Sequence, residues 1–158
     1  MFSLQKQTAK LCSFNPRSEI HGEEKVSAAD LGIQIKVSND VLSEFDPLLK
    51  SSLYAKADQG DIEPGHLPSL KFPKMGAIKW AQEFVGYEAM IHYGVSKKDN
   101  IVLGDCQIDK LRFECQDGGT VVMIFRIVAH PEERDAGRLC GMIQQDLALT
   151  LTPPEGAE

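Results

Sequence analysis

At 158 residues, with 42% hydrophobic and 25% charged side chains, the chain has ordinary globular usage, which excludes low-complexity disorder as its main state. A domain of this length hides roughly two thirds of its unfolded surface, so it needs no metal or disulfide staple. The formal charge of −6 falls entirely on residues 57–158, and a net acidic chain is repelled by phosphate at long range, which weighs against non-specific duplex binding.

The first predicted element is a short strand over Thr8–Asn15. Asn15–Lys25 is polar, holds Pro16 and Gly22, and reads as a charged hairpin loop. Ala29, Leu31, Ile33, Ile35 and Val37 then alternate with polar residues or glycine, the mark of a half-buried strand on an antiparallel sheet. From Asn39 to Ala55 the period turns helical through Val41, Leu42, Phe45, Leu48, Leu49 and Leu53. Asp46-Pro47 inside that run is a fresh cap followed by proline, so two short helical turns are expected in place of one helix.

Residues 56–76 form a long irregular loop with Pro64, Pro68 and Pro73; long loops in compact domains are uncommon and often functional. Strands follow at Ala77–Gln82 and over Tyr87–Tyr93, with a polar turn at Gly94–Asn100. Ile101–Cys115 is extended, and its apolar parity changes between Ile108 and Leu111, as a bulge requires. Gln116–Thr120 carries Asp117-Gly118-Gly119 and predicts a hairpin turn. Val121–Ala129 is apolar except at Arg126 and reads as a central strand; the buried partner expected for that arginine is Glu114 or Asp109.

Pro131, Glu132 and Glu133 suit a helix start, and Ala136, Leu139, Cys140 and Ile143 form its apolar stripe. Leu147, Leu149 and Leu151 alternate in a last strand, and residues 153–158 are a frayed tail. The expected fold is one mainly β domain over 1–158, a β-sandwich or barrel-like antiparallel sheet with two short helical elements; α+β is the second choice.

Chemistry is hard to assemble from these residues. There is no G-x-x-x-x-G-K-[ST], no G-x-G-x-x-G and no G-x-S-x-G. The cysteines Cys12, Cys106, Cys115 and Cys140 form no C-x-x-C pair and read as buried, reduced thiols; a Cys106–Cys115 bridge is the alternative, in an oxidising compartment. His21, His66, His92 and His130 lie far apart. The richest ligand-type cluster is Glu19, His21, Glu23 and Glu24, which reads as a solvated charged loop, and His92 reads as a surface residue beside Glu88. No cofactor, no metal and no catalytic residue is expected. The start of the chain has no apolar signal-peptide core, and no run reaches the roughly 18 apolar residues of a membrane span.

The most suggestive stretch is Leu70–Trp80, where Lys71, Lys74 and Lys79 interleave with Phe72 and Trp80, the only tryptophan. A loop cluster beside a core tryptophan is the plain reading. Single-stranded nucleic acid uses lysines for phosphates and rings for bases. A protein-binding anchor at Phe72 or Trp80 is the third reading.

Asn15–Leu31, Leu70–Gly76 and the hairpin Ile108–Ala129 together resemble a group of small, uncharacterised early-region proteins of tailed phages and prophages of Gram-negative bacteria. The resemblance implies a bacterial cytoplasm and a role in serving the phage, and it carries no catalytic residues. The expectation is therefore a non-enzymatic binding protein acting on a host or phage protein, such as a host-defence inhibitor. The alternative is a single-stranded nucleic-acid-binding accessory protein of phage replication or recombination. No membrane partner is expected, and a symmetric homodimer is a plausible way to cover sheet edges.

Overall fold

The computed structural model describes residues 1–57 and 67–156. The described strands are β1 (Leu4–His21), β2 (Glu24–Ser38), the two-residue β3 (Tyr54–Ala55) and β4 (Ser69–Leu70), β5 (Ile78–Trp80), β6 (Phe84–His92), β7 (Ile101–Cys115), β8 (Thr120–Ala129) and β9 (Asp146–Thr152). The helices are α1 (Leu42–Phe45), α2 (Leu49–Leu53) and α3 (Glu133–Gly141), with 3-10 turns at Asn39–Val41 and Lys97–Asp99.

The strands run β7-β6-β9-β1-β2-β8, and β8 pairs again with β7. All pairings are antiparallel, so six strands close into a barrel. Closure satisfies ladder groups that an open sheet would leave at its edges. β5 is the extra strand: it pairs with Leu111–Phe113 of β7 and continues the line that β6 follows along Ile101–Ile108.

The alternating residues point where their period requires. Leu31, Ile33 and Ile35 of β2, Met123, Phe125 and Ile127 of β8, and Leu149 and Leu151 of β9 are buried in the barrel. The parity change in β7 is a register shift between Asp109 and Arg112, and Lys110 sits there in a left-handed conformation, φ 53°. One end of the barrel is plugged by α1. Its Phe45 stands 5.0 Å from Phe113, 5.2 Å from Phe2 and 5.9 Å from Trp80, centroid to centroid. The Asp46-Pro47 break acts as expected, since Asp46 accepts from the Leu48 amide at 2.8 Å and α2 starts anew. At the other end α3 buries Leu139 completely.

Three readings need correction. Asn15–Lys25 is not a loop but most of a β1–β2 ribbon, paired from Asn15–Asp30 to His21–Glu24. Pro16 is tolerated because β9 leaves the other edge of β1 at Lys10, so no strand there needs its missing N–H. The 56–76 stretch contains β4, which pairs with β3; residues 58–66 of that stretch lie outside the described residues. Of the four thiols expected to be buried only Cys106 is: Cys12 and Cys115 are half-buried, and Cys140 is exposed because α3 turns Leu139 toward the barrel. All four cysteines are unbridged, Cys106 and Cys115 included.

Candidate functional site

The loop before β5 is strapped to its surroundings by its backbone. The Lys71 amide donates to the Leu53 carbonyl at 2.9 Å, the Gly118 amide to Pro68 at 2.7 Å, and the Asn39 side chain to Leu67 at 2.7 Å. The chain then turns at Phe72–Met75, closed by the Met75 amide on the Phe72 carbonyl at 3.1 Å. Gly76, at φ 76°, lets it leave that turn toward β5. The turn leaves two large apolar side chains in solvent: Phe72 is 53% exposed and Met75 52%. Beside them lies a hollow of about 270 Å³, lined by Leu53, Leu70, Ile78 and Cys115 among others.

The lysines divide by location. The Lys71 ammonium donates to the Ser51 carbonyl at 2.6 Å, which fixes its position, and among the described residues it has no ion-pair partner. Lys74 and Lys79 are exposed, and among the described residues neither has an ion-pair partner. Lys79 lies opposite Arg112 across the β5–β7 ladder. With Lys110, Arg112 and Arg126 it lines a second hollow of about 540 Å³, where Glu83 and Asp109 supply the acidic groups. Sequence reasoning missed Lys110, Arg112 and Arg126 as companions of Lys79, because the register of β5 on β7 brings them together and spacing does not show that register.

Trp80 borders the second hollow, but its ring faces inward. It packs at 5.9 Å from Phe45 and 6.2 Å from Phe113, edge to face, and its Nε1 donates to the Gln82 side chain at 3.0 Å. Of the five expected site residues, Phe72 is at the rim of the first hollow, and Lys79 and Trp80 are at the second. Lys71 and Lys74 flank Phe72 along the loop.

Arg126 is held by Asp109. The guanidinium donates from Nε to one carboxylate oxygen at 2.7 Å and from Nη2 to the other at 2.6 Å. Asp109 is buried, and Arg126 beside it holds its carboxyl below the usual range. Arg126 Nη1 also stands 3.8 Å from Asp30, which accepts from Arg17 at 3.2 Å, and Arg17 in turn pairs with Glu19 at 2.9 Å. A line of alternating charge thus crosses the outside of the barrel from β7 to the β1–β2 ribbon.

At the far end of that line is a second cluster. Glu19 accepts from His130 Nε2 at 2.9 Å, and His21 Nε2 lies 3.9 Å from the same oxygen. Arg17, and after it His130, hold the Glu19 carboxyl below its ordinary range, so it is ionised at neutral pH. Glu23 and Glu24 take no part in this grouping; His130 does, from 111 positions away from Glu19. His92 is half-buried and shares a 2.8 Å hydrogen bond with Thr150 Oγ1, in place of the expected neighbour Glu88.

The described residues define a closed antiparallel barrel that carries an apolar turn and a basic hollow on one corner. Among them no helix is long and apolar enough to cross a membrane. Comparison of the chain with family models, with curated proteins and with solved structures finds no match.

Proposed function

We propose that the chain is a non-enzymatic binding protein whose Lys71–Trp80 corner docks an acidic segment of a host or phage protein. The observation that carries this is the exposure of Phe72 and Met75 together on one turn, flanked by lysines and beside a hollow lined by Leu53, Leu70, Ile78 and Glu114. Aromatic and methionine side chains anchor protein interfaces when a pocket lies beside them. Lys71, Lys74 and Lys79 give that anchor a charged rim, which favours a partner rich in carboxylates. Inhibition of a host defence system, inside a bacterial cytoplasm, is the form of this role that fits the resemblance to phage early-region proteins.

The second reading is a single-stranded nucleic-acid-binding accessory protein. Its support is the hollow lined by Lys79, Lys110, Arg112 and Arg126. It ranks second because Trp80 is engaged with Phe45 and Phe113, which leaves Phe72 as the ring available for stacking a base.

The test compares the full chain with Phe72→Ala/Met75→Ala and with Lys71→Glu/Lys74→Glu/Lys79→Glu. Each is used as bait in nuclease-treated bacterial lysate and titrated against a labelled oligo-dT. A stoichiometric protein retained by the wild type and lost from both variants supports protein docking. Salt-sensitive oligonucleotide binding that the lysine variant loses and the Phe72→Ala/Met75→Ala variant weakens, with no protein retained, would replace it with the second reading.

A further inference from the structure

Glu19 and His21 are two residues apart on β1 and so share one face of the ribbon. His130 follows Ala129, the last residue of β8, whose partner Ala29 is in turn paired with Pro16 of β1. The barrel register therefore brings His130 beside the ribbon. Both imidazole Nε2 atoms turn toward the same oxygen, Glu19 Oε1, at 2.9 and 3.9 Å. The rings stand at 88° with centroids 6.2 Å apart, so they do not stack against one another. One ligand atom from each of the three residues lies within 4.8 Å of the others.

We infer that Glu19, His21 and His130 form a binding site for a divalent first-row transition cation of the zinc type. Two imidazole nitrogens and one carboxylate oxygen are the protein ligands, and water completes the shell. Zinc bonds of about 2.0–2.2 Å put tetrahedral ligand atoms about 3.3 Å apart. The observed spacings bracket that value, so side-chain rotation alone reaches it. Arg17 takes the other carboxylate oxygen, Oε2, at 2.9 Å and is itself held by Asp30, which leaves Oε1 for the cation. A fixed outer partner of this kind orients a ligating carboxylate. The nitrogen-rich set selects zinc, nickel or copper over magnesium and calcium, which want oxygen. A bound ion ties the ribbon to the junction between β8 and α3.

The experiment uses the full chain after chelator treatment. Zinc binding is measured by titration calorimetry, and cobalt is used as a visible probe. The expected result is one zinc per chain and a cobalt spectrum without thiolate charge transfer. His21 is 58% and His130 36% exposed, so His21→Ala and His130→Ala keep the fold, which circular dichroism verifies. Each loses at least about tenfold in zinc affinity, since removing a ligand costs no less than disturbing its outer partner. Cys140→Ser, which changes the exposed thiol, binds as the wild type does. Three results overturn the proposal: no saturable binding at micromolar zinc, binding that survives His130→Ala, or a cobalt spectrum dominated by thiolate. In those cases the cluster is a hydrogen-bonded Glu–His pair and nothing more.

Discussion

Asp109 and Arg126 face each other directly across the β7–β8 ladder, and both carboxylate oxygens accept from the one guanidinium. The pair sits at the bulge where β7 changes parity, so the same irregularity that shifts the register also aims the aspartate at the arginine. Asp109 is buried, whereas the arginine side chain keeps 30% of its surface in water. Such a half-exposed pair contributes little if both partners are removed, but losing one leaves a charge stranded.

Asp109→Asn is therefore expected to cost about 2 kcal/mol at neutral pH, measured by urea unfolding. The pH dependence has a definite sign. The carboxyl is held below its ordinary value, so its stabilisation is complete above the unfolded value of about 3.9 and fades as pH falls through the folded one. The gap between wild type and variant should be widest near pH 7 and close in acid. A gap that stays constant to pH 2.5 would show that the ion pair is not its source.

Tyr54 ties α2 to the β7–β8 turn. Its buried hydroxyl donates toward the Gln116 carbonyl at 2.8 Å, and the Thr120 carbonyl lies 3.2 Å away. Burial first, then neighbouring Cys115, pushes its ionisation well above the ordinary tyrosine value, so it stays a donor. Tyr54→Phe should lower stability by about 1 kcal/mol and leave the fold unchanged. Amide exchange at Gln116 and Thr120 should accelerate with it. Unaltered exchange at both amides would mean that the turn holds without Tyr54.

Much of the barrel was legible because its strands obey a local rule. The Ala29–Val37 alternation, the parity change before Leu111 and the Asp117-Gly118-Gly119 turn each concern a few adjacent residues, and all three are where periodicity and turn chemistry put them. One hairpin narrowed the partner of Arg126 to Glu114 or Asp109, and the structure gives Asp109. What failed is long-range. Gly22 does break the chain, at φ 68° in the β1–β2 turn, but Pro16 does not, and only the early departure of β9 shows why a proline can sit in β1. The register of β5 on β7 decides which basic groups join Lys79, and no spacing reveals it. The same holds for His130, which meets Glu19 through pairings of β8 on β2 and of β2 on β1.

Trp80 distinguishes a packing role from a binding one. As the sole tryptophan, it is also the only indole reporter in the chain. It contacts Phe45 and Phe113, so Trp80→Ala should destabilise by about 2 kcal/mol, less than a fully buried ring would cost. Native emission should be blue-shifted relative to urea-unfolded protein. Adding oligo-dT should quench it weakly, because the ring is not offered to bases. Strong quenching, with thermal stability of Trp80→Ala equal to wild type, would move Trp80 from the core to the binding face.

The four unbridged thiols should separate by access. Cys140 is exposed, Cys12 and Cys115 are half-buried, and Cys106 is fully buried with its ionisation pushed by burial to about 11. Only a thiolate attacks a disulfide reagent, and it must also be reached. In native protein at pH 8, an aromatic disulfide reagent should give one fast equivalent, abolished by Cys140→Ser. Cys106 should react only at the rate of unfolding, since a closed ladder surrounds it on β7. A fast phase that persists in Cys140→Ser would mean that Cys12 or Cys115 is reached by the reagent in the folded protein. If Cys106 reacted while the fold was intact, the β6–β7 ladder would have to open locally at Tyr87–Cys106, where its register already shifts.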